Sequence, residues 1–155
     1  MKKSKYKFYL LLSSQILIIA IFVGLFFMDF DDFFPEDISF INQNPSCDLR
    51  EKSCEINLGK NQKISLSISP KSIPLMKTLD FKVKTQNLNL EDLKLKIYAT
   101  NMDMGIFKKK FKKISQNTFL AKQMLPTCII GNMIWNADIS SSSLKNGARF
   151  TFKTK

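Results

Sequence analysis

The chain has 155 residues, a length that suits one domain with a short appendage, and it carries a formal net charge of +11 without any histidine. The lack of histidine excludes Ser-His and Cys-His nucleophile pairs, the common zinc sites and His-based copper(II) sites. Only 5 glycines are present, and none of them belongs to a phosphate-binding loop motif. We therefore predict that the protein is not an enzyme and has no catalytic residues.

An uncharged segment near the N-terminus, residues 8–28, reads FYLLLSSQILIIAIFVGLFFM. As a helix it would extend about 31 Å, which is enough to cross the hydrocarbon core of a bilayer. The segment is longer than the apolar part of a signal peptide, and no small-x-small cleavage site follows it. We therefore predict an uncleaved transmembrane anchor that contacts the lipid bilayer through residues 8–28.

The charges on the two sides of this segment predict its orientation. Residues 1–7 form a basic tail that contains Lys2, Lys3, Lys5 and Lys7. Residues 29–53 form a predicted acidic linker without lysine or arginine before Arg50. Because cationic flanks stay in the cytoplasm, we predict a single-pass inner-membrane protein with a cytoplasmic N-terminus and a periplasmic C-terminal domain. Such a domain would not meet nucleic acid, so its lysines predict a solvated surface or a contact with anionic headgroups.

From residue 54 onward, apolar and polar side chains alternate with a period of two, which is typical of half-buried strands. We predict an all-β fold, an antiparallel β-sandwich over residues 54–155, with Trp135 in its core. The serine run at 140–143 is predicted to be a flexible loop. The predicted strands are residues 54–58, 63–69, 79–85, 93–99, 105–113, 118–125, 134–139 and 148–154.

The chain contains 3 cysteines, which are expected to lie in an oxidising compartment. Cys47 and Cys54 are close in the sequence, and a disulfide between them would fasten the linker to the first strand. A redox pair or a metal-binding pair is the alternative, although the spacing in CDLREKSC is unusual for both. Cys128 is either a buried free thiol or, as the odd cysteine, a reactive or metal-binding one.

The thioethers of the methionines offer a further source of chemistry. In the stretch NMDMG, Met102 and Met104 are two residues apart, so on extended backbone both side chains would share one face about 6–7 Å apart. Thioether and thiolate ligands select copper(I), and a third sulfur could come from Met124, Cys128 or Met133. Copper(I) is therefore the candidate cofactor. The alternative is that the two methionines only fill space at one end of the sandwich.

The order of these motifs resembles that of a known family. An MxMG turn is followed by a charged strand, a strand that ends in MLP, and then GNMIWNADI. This order is similar to that of the YtkA-like exported Ig-like domains and, more distantly, of FixH-like proteins. The resemblance covers roughly residues 62–154 and implies an Ig-like sandwich, often anchored by one N-terminal helix. FixH-like proteins are associated with assembly of cbb-type cytochrome oxidase, so the resemblance implies a respiratory copper enzyme as a partner.

We expect a non-enzymatic accessory or binding module of the cell envelope, which handles copper(I) for a respiratory oxidase. The competing hypothesis is a structural interaction domain that docks on a membrane complex without any metal. The run KKKFKK at 108–113 is predicted to be either an edge strand that resists pairing with other sheets or a surface that contacts headgroups or an acidic partner.

Overall fold

The structure, a computed structural model, describes residues 2–27, 38–127 and 131–154. The chain divides into two compact units between residues 37 and 38. The first unit contains helix α1, Lys2–Phe27, whose sequence has no proline that would interrupt the backbone hydrogen bonds.

Helix α1 covers most of the segments that the sequence predicts as a basic tail and a membrane span. Lys2, Lys3, Lys5 and Lys7 fall in its first two turns, so the predicted tail is helical from Lys2. The last residue of the predicted span, Met28, lies outside the described residues. Within the part of the chain that the structure describes, no helix combines the length and the apolar character that a membrane crossing needs.

The second unit is built from two sheets. The described residues form ten strands: β1 Phe40–Asn42, β2 Cys54–Gly59, β3 Gln62–Ser69, β4 Thr78–Gln86, β5 Lys94–Ala99, β6 Ile106–Lys110, β7 Lys112–Ser115, β8 Thr118–Met124, β9 Met133–Ser140 and β10 Gly147–Thr154. The first sheet has the order β1-β10-β9-β5-β6, and the second has the order β2-β3-β4-β8-β7. Neighbouring strands are antiparallel, apart from the parallel pair β1 and β10. The predicted β-sandwich architecture is confirmed.

The core lies between the two sheets and follows from the alternation in the sequence. In β3, for example, Ile64, Leu66 and Ile68 are fully buried. Trp135 is also fully buried and donates its indole N–H to the hydroxyl of Thr154 at 3.2 Å, so the predicted core tryptophan is confirmed with its polar atom paired. All buried apolar side chains of the described residues lie in this unit. A unit with its own core is expected to fold without α1.

The folded domain begins earlier in the chain than the sequence predicts. Strand β1 lies within the predicted linker 29–53 and pairs with β10, and Leu49 in the same segment is fully buried. The described part of that segment therefore belongs to the sandwich. The alternation rule misses β1 because three residues are too few to show a period.

The lysine-rich stretch 105–113, predicted as one strand, is divided between the two sheets. Residues up to Lys110 pair with β5 in the first sheet, and residues from Lys112 pair with β8 in the second. Phe111 is buried at the crossing point, and its backbone N–H donates to the Leu93 carbonyl at 2.8 Å. One continuous segment thus forms an edge of both sheets.

The serine run, predicted as a flexible loop, is fastened to the loop before β5. The Ser141 hydroxyl donates to one carboxylate oxygen of Asp92 at 2.5 Å, and the Ser142 backbone N–H donates to the other at 2.9 Å. Burial alone would raise the pKa of Asp92, but these hydrogen bonds outweigh it and lower the pKa to about 2. The ionised carboxylate therefore stabilises the contact between the loop before β5 and the loop after β9.

Candidate functional site at the methionine end

One end of the sandwich collects the segments that carry the candidate sulfur ligands. The Thr100 N–H donates to the Ile134 carbonyl at 2.8 Å, which joins the β5–β6 loop to the start of β9. The Met76 N–H donates to the Leu125 carbonyl at 2.9 Å, which joins the β3–β4 loop to the segment after β8. We call this region the methionine end and define it by residues 70–77, 100–105, 124–127 and 131–133.

The stretch NMDMG forms a tight turn between β5 and β6. Its central carboxylate, Asp103 Oδ1, accepts a hydrogen bond from the Gly105 backbone N–H at 3.0 Å. Gly105 has a φ of +76°, a left-handed conformation that favours glycine. Asp103 is exposed, whereas Met102 and Met104 are half-buried and pack against the hydrophobic core. The turn therefore directs both thioethers to the core and the carboxylate to solvent.

Asn101 connects this turn to the segment that precedes Met133. Its side-chain N–H donates to the Asn132 carbonyl at 3.2 Å, and its side-chain oxygen accepts from the Ile134 N–H at 3.1 Å. The two bonds hold the backbone on both sides of Met133 against the start of the NMDMG turn. Sequence reasoning missed this role, although an asparagine beside each methionine motif, in NMDMG and in GNM, was an available signal.

The candidate third ligands occupy different environments. Met133, the first residue of β9, is 1% exposed and points into the core. Met124 is 47% exposed and lies at the end of β8 in the other sheet, opposite Thr78 of β4. The structure therefore brings the Met133 segment to the NMDMG turn and places Met124 on the opposing sheet.

The remaining candidate, Cys128, lies outside the described residues. Among the residues that the structure does describe, no group of three histidine, cysteine, aspartate or glutamate side chains is arranged to hold a metal ion.

Cys47 and Cys54 form a disulfide, with an S–S distance of 2.12 Å and a Cα–Cα distance of 5.9 Å. This is the pairing that the sequence favours over a redox or metal pair. Gln43 holds the same segment in place, because its side-chain N–H group donates to the Cys47 carbonyl at 3.2 Å and to the Thr151 carbonyl at 2.7 Å. The disulfide removes both sulfurs from the set of thiolate ligands.

An ion pair lies on the loop between these cysteines. The Arg50 guanidinium binds the Asp48 carboxylate with a closest N–O distance of 2.6 Å. Hydrogen bonds from Arg50 lower the pKa of Asp48, so this carboxylate stays ionised over a wider pH range than a free one. Both side chains remain about one-third exposed, which limits the contribution of the pair to stability.

No family model matches the chain, and neither a curated protein nor a solved structure shows a significant match to it.

Proposed function

We propose that this protein is a non-enzymatic accessory module of the cell envelope that binds copper(I) through the methionine end. Met102 and Met104 supply two thioethers from one turn, and Met133 supplies the third from the core side. The observation that carries the proposal is the Asn101 bridge, which holds two methionine-bearing segments together at one end of the sandwich.

The donor set fits a soft monovalent ion better than a hard one. The chain has no histidine, and Cys47 and Cys54 are joined to each other, so the soft ligands that the described residues of this end offer are thioethers. Thioether ligands select copper(I) over divalent ions that prefer oxygen or imidazole. Met102 and Met104 are half-buried, so an ion arriving from solvent would reach them before Met133.

The proposed location is a membrane, with α1 as an uncleaved anchor and the sandwich outside the cytoplasm. Large apolar side chains at the consecutive positions Ile16, Leu17, Ile18 and Ile19 are all exposed, so α1 presents apolar surface on every side. A helix that is apolar all round requires an apolar environment. The lysines before residue 8 favour a cytoplasmic N-terminus, and a disulfide suits an oxidising compartment such as the periplasm.

The resemblance to YtkA-like and FixH-like domains supports the same proposal. In this chain the MxMG turn precedes β6, and Trp135 of β9 fills the core, which is the arrangement that the resemblance implies for an Ig-like sandwich. A partner that contains copper, such as a respiratory oxidase, is the proposed recipient of the ion. The proposal assigns no catalytic step to this chain.

A titration of the full chain in detergent with copper(I) against a competing chelator tests the copper site. We expect one ion per chain in the wild type and none in Met102→Leu/Met104→Leu. The matched control is Met124→Leu, which removes an exposed thioether from the opposing sheet and should bind like the wild type. Equal binding by all three proteins would show that the site lies elsewhere or does not exist.

A structural docking domain without metal is the second candidate, and the burial of Met133 favours it. The position of a methionine that is 1% exposed is explained by the core volume it fills, without any bound ion. Under this hypothesis the purified protein carries no copper, and a membrane complex co-purifies with the wild type and the double variant alike. Separation of membranes after alkaline carbonate washing tests the anchor independently, because an integral protein stays in the pellet.

A further inference from the structure

The most strongly charged edge of the domain is the segment 106–115, which we call the lysine edge. It comprises β6, Phe111 and β7, and it forms the outer strand of both sheets along one side of the sandwich. The segment contains five lysines and no acidic residue. Because Phe111 is buried and bonded to Leu93, both halves of the edge have a fixed position on the domain.

The strand register increases the positive charge beside this edge. Lys110 lies directly opposite Lys94, and Lys108 lies directly opposite Lys96. Like charges in opposite positions of a sheet destabilise it. Lys109 and Lys112, which belong to the same edge segment, are exposed as well. The fold therefore concentrates cations here instead of distributing them.

Exposed apolar side chains lie at both ends of the same edge. Ile106 at the start of β6 is 59% exposed, and Ile114 near the end of β7 is 48% exposed. Lysines alone would protect an edge strand from pairing with another sheet. Large β-branched apolar side chains would work against that protection, so the combination indicates a surface that is covered by something both anionic and apolar.

We propose that the lysine edge binds an anionic membrane surface. The lysines contact lipid phosphates, and Ile106 and Ile114 enter the boundary between headgroups and acyl chains. A purely polar acidic peptide or a nucleic-acid backbone would satisfy the lysines but would leave the two isoleucines without an apolar partner. The physiological meaning of this contact rests on the proposed membrane location, whereas the contact itself is a property of the domain.

Co-sedimentation of the fragment 38–155 with lipid vesicles tests the proposal without the contribution of α1. The domain has its own core and its own disulfide, and circular dichroism first verifies that the fragment and each variant are folded. One set of vesicles contains phosphatidylcholine alone, and the other contains an added fraction of phosphatidylglycerol. We expect binding to the anionic vesicles only, and a marked loss of that binding at high salt, because salt screens exposed charges.

Two double variants with the same net charge decide which surface binds. Lys109→Gln/Lys112→Gln removes two charges from the lysine edge, whereas Lys82→Gln/Lys84→Gln removes two exposed charges from β4, a central strand of the second sheet. Each lysine near an anionic surface strengthens binding about fivefold, so we expect the first variant to bind roughly 25-fold more weakly and the second to bind nearly as the wild type. Equal losses in both variants would overturn the proposal.

Substitution of the two isoleucines distinguishes binding to an anionic lipid surface from binding to an acidic protein. Ile106→Ser/Ile114→Ser should weaken binding to anionic vesicles while leaving binding to soluble polyglutamate unchanged. Binding of the wild type to polyglutamate but not to vesicles would overturn the proposal in favour of an acidic protein. Because these assays contain neither copper nor α1, their failure would leave the copper and anchor proposals to be decided by their own tests.

Discussion

The carboxylate of Asp92 links two loops of the sandwich, and its replacement gives a quantitative test of the fold. In Asp92→Asn the hydrogen bonds from Ser141 and Ser142 lose their charged acceptor. The fall in pKa from 3.8 to about 2 corresponds to at most about 2.4 kcal/mol, at about 1.36 kcal/mol for each pKa unit. Solvent screening of this partly exposed group reduces the expected loss of unfolding free energy to about 1–2 kcal/mol.

The sign of the pH dependence follows from the lowered pKa. A carboxylate with a folded pKa below its unfolded pKa stabilises the native state fully above pH 3.8, and this contribution disappears as the pH falls through about 2. The difference in unfolding free energy between wild type and Asp92→Asn should therefore be constant at neutral pH and shrink across this acidic window. Urea denaturation of the fragment 38–155, followed by circular dichroism at several pH values, measures it.

A neighbouring acid supplies the control for this experiment. Glu91→Gln makes the same change in net charge at an exposed position and should alter the unfolding free energy by less than about 0.5 kcal/mol. Ser141→Ala should reproduce part of the loss seen in Asp92→Asn. If Asp92→Asn were as stable as the wild type at neutral pH, or if its loss of stability persisted unchanged at pH 2, the ionised Asp92 carboxylate would not be the stabilising group.

Three further predictions concern other contacts of the domain. Asn101→Ala should lower the unfolding free energy by about 1–3 kcal/mol and weaken copper(I) binding, because the Met133 segment loses its link to the NMDMG turn. Urea denaturation measures the first effect, and competition with a copper(I) chelator measures the second. Reduction of the bond between Cys47 and Cys54 should lower the unfolding free energy by about 2–3 kcal/mol, measured by urea denaturation with and without reductant. Arg149→Leu should lower the unfolding free energy by about 3–5 kcal/mol, because it removes the bidentate partner of the buried Asp138 carboxylate. In the wild type, Arg149 Nε lies 2.7 Å from Asp138 Oδ1. A thermal shift of Arg149→Leu no larger than that of a surface lysine variant would contradict this last estimate.

The location of most strands could be predicted from the sequence. The alternation in residues 63–69 and 79–85 matches β3 and β4 closely, because a strand between a core and solvent must place apolar side chains on one face. The turn at NMDMG was predictable for a related reason, since its glycine ends a short stretch with two polar residues, Asn101 and Asp103, between two alternating segments. Both the strands and the turn are predicted from residues that are close together in the sequence.

Other features required contacts between distant parts of the chain. Strand β1 is three residues long and exists because β10, more than a hundred residues later, offers a free edge. The division of the lysine-rich stretch at Phe111 depends on the carbonyl of Leu93, which the sequence of the stretch itself does not show. An alternating pattern specifies a strand but not its partner strand. The division of the lysine-rich stretch between the two sheets therefore could not be predicted from the sequence.

The candidate site also combines a property that the sequence shows with one that depends on the fold. The sequence by itself limits the candidate ligands, because a chain without histidine offers methionine thioethers and cysteine thiols as its soft ligands. The tertiary structure decided which methionines come together: Asn101 brings the Met133 segment to the turn, and β8 carries Met124 to the other sheet. Residue type fixes what an atom can bind, whereas the distance between two atoms far apart in the chain depends on the packing of every strand between them.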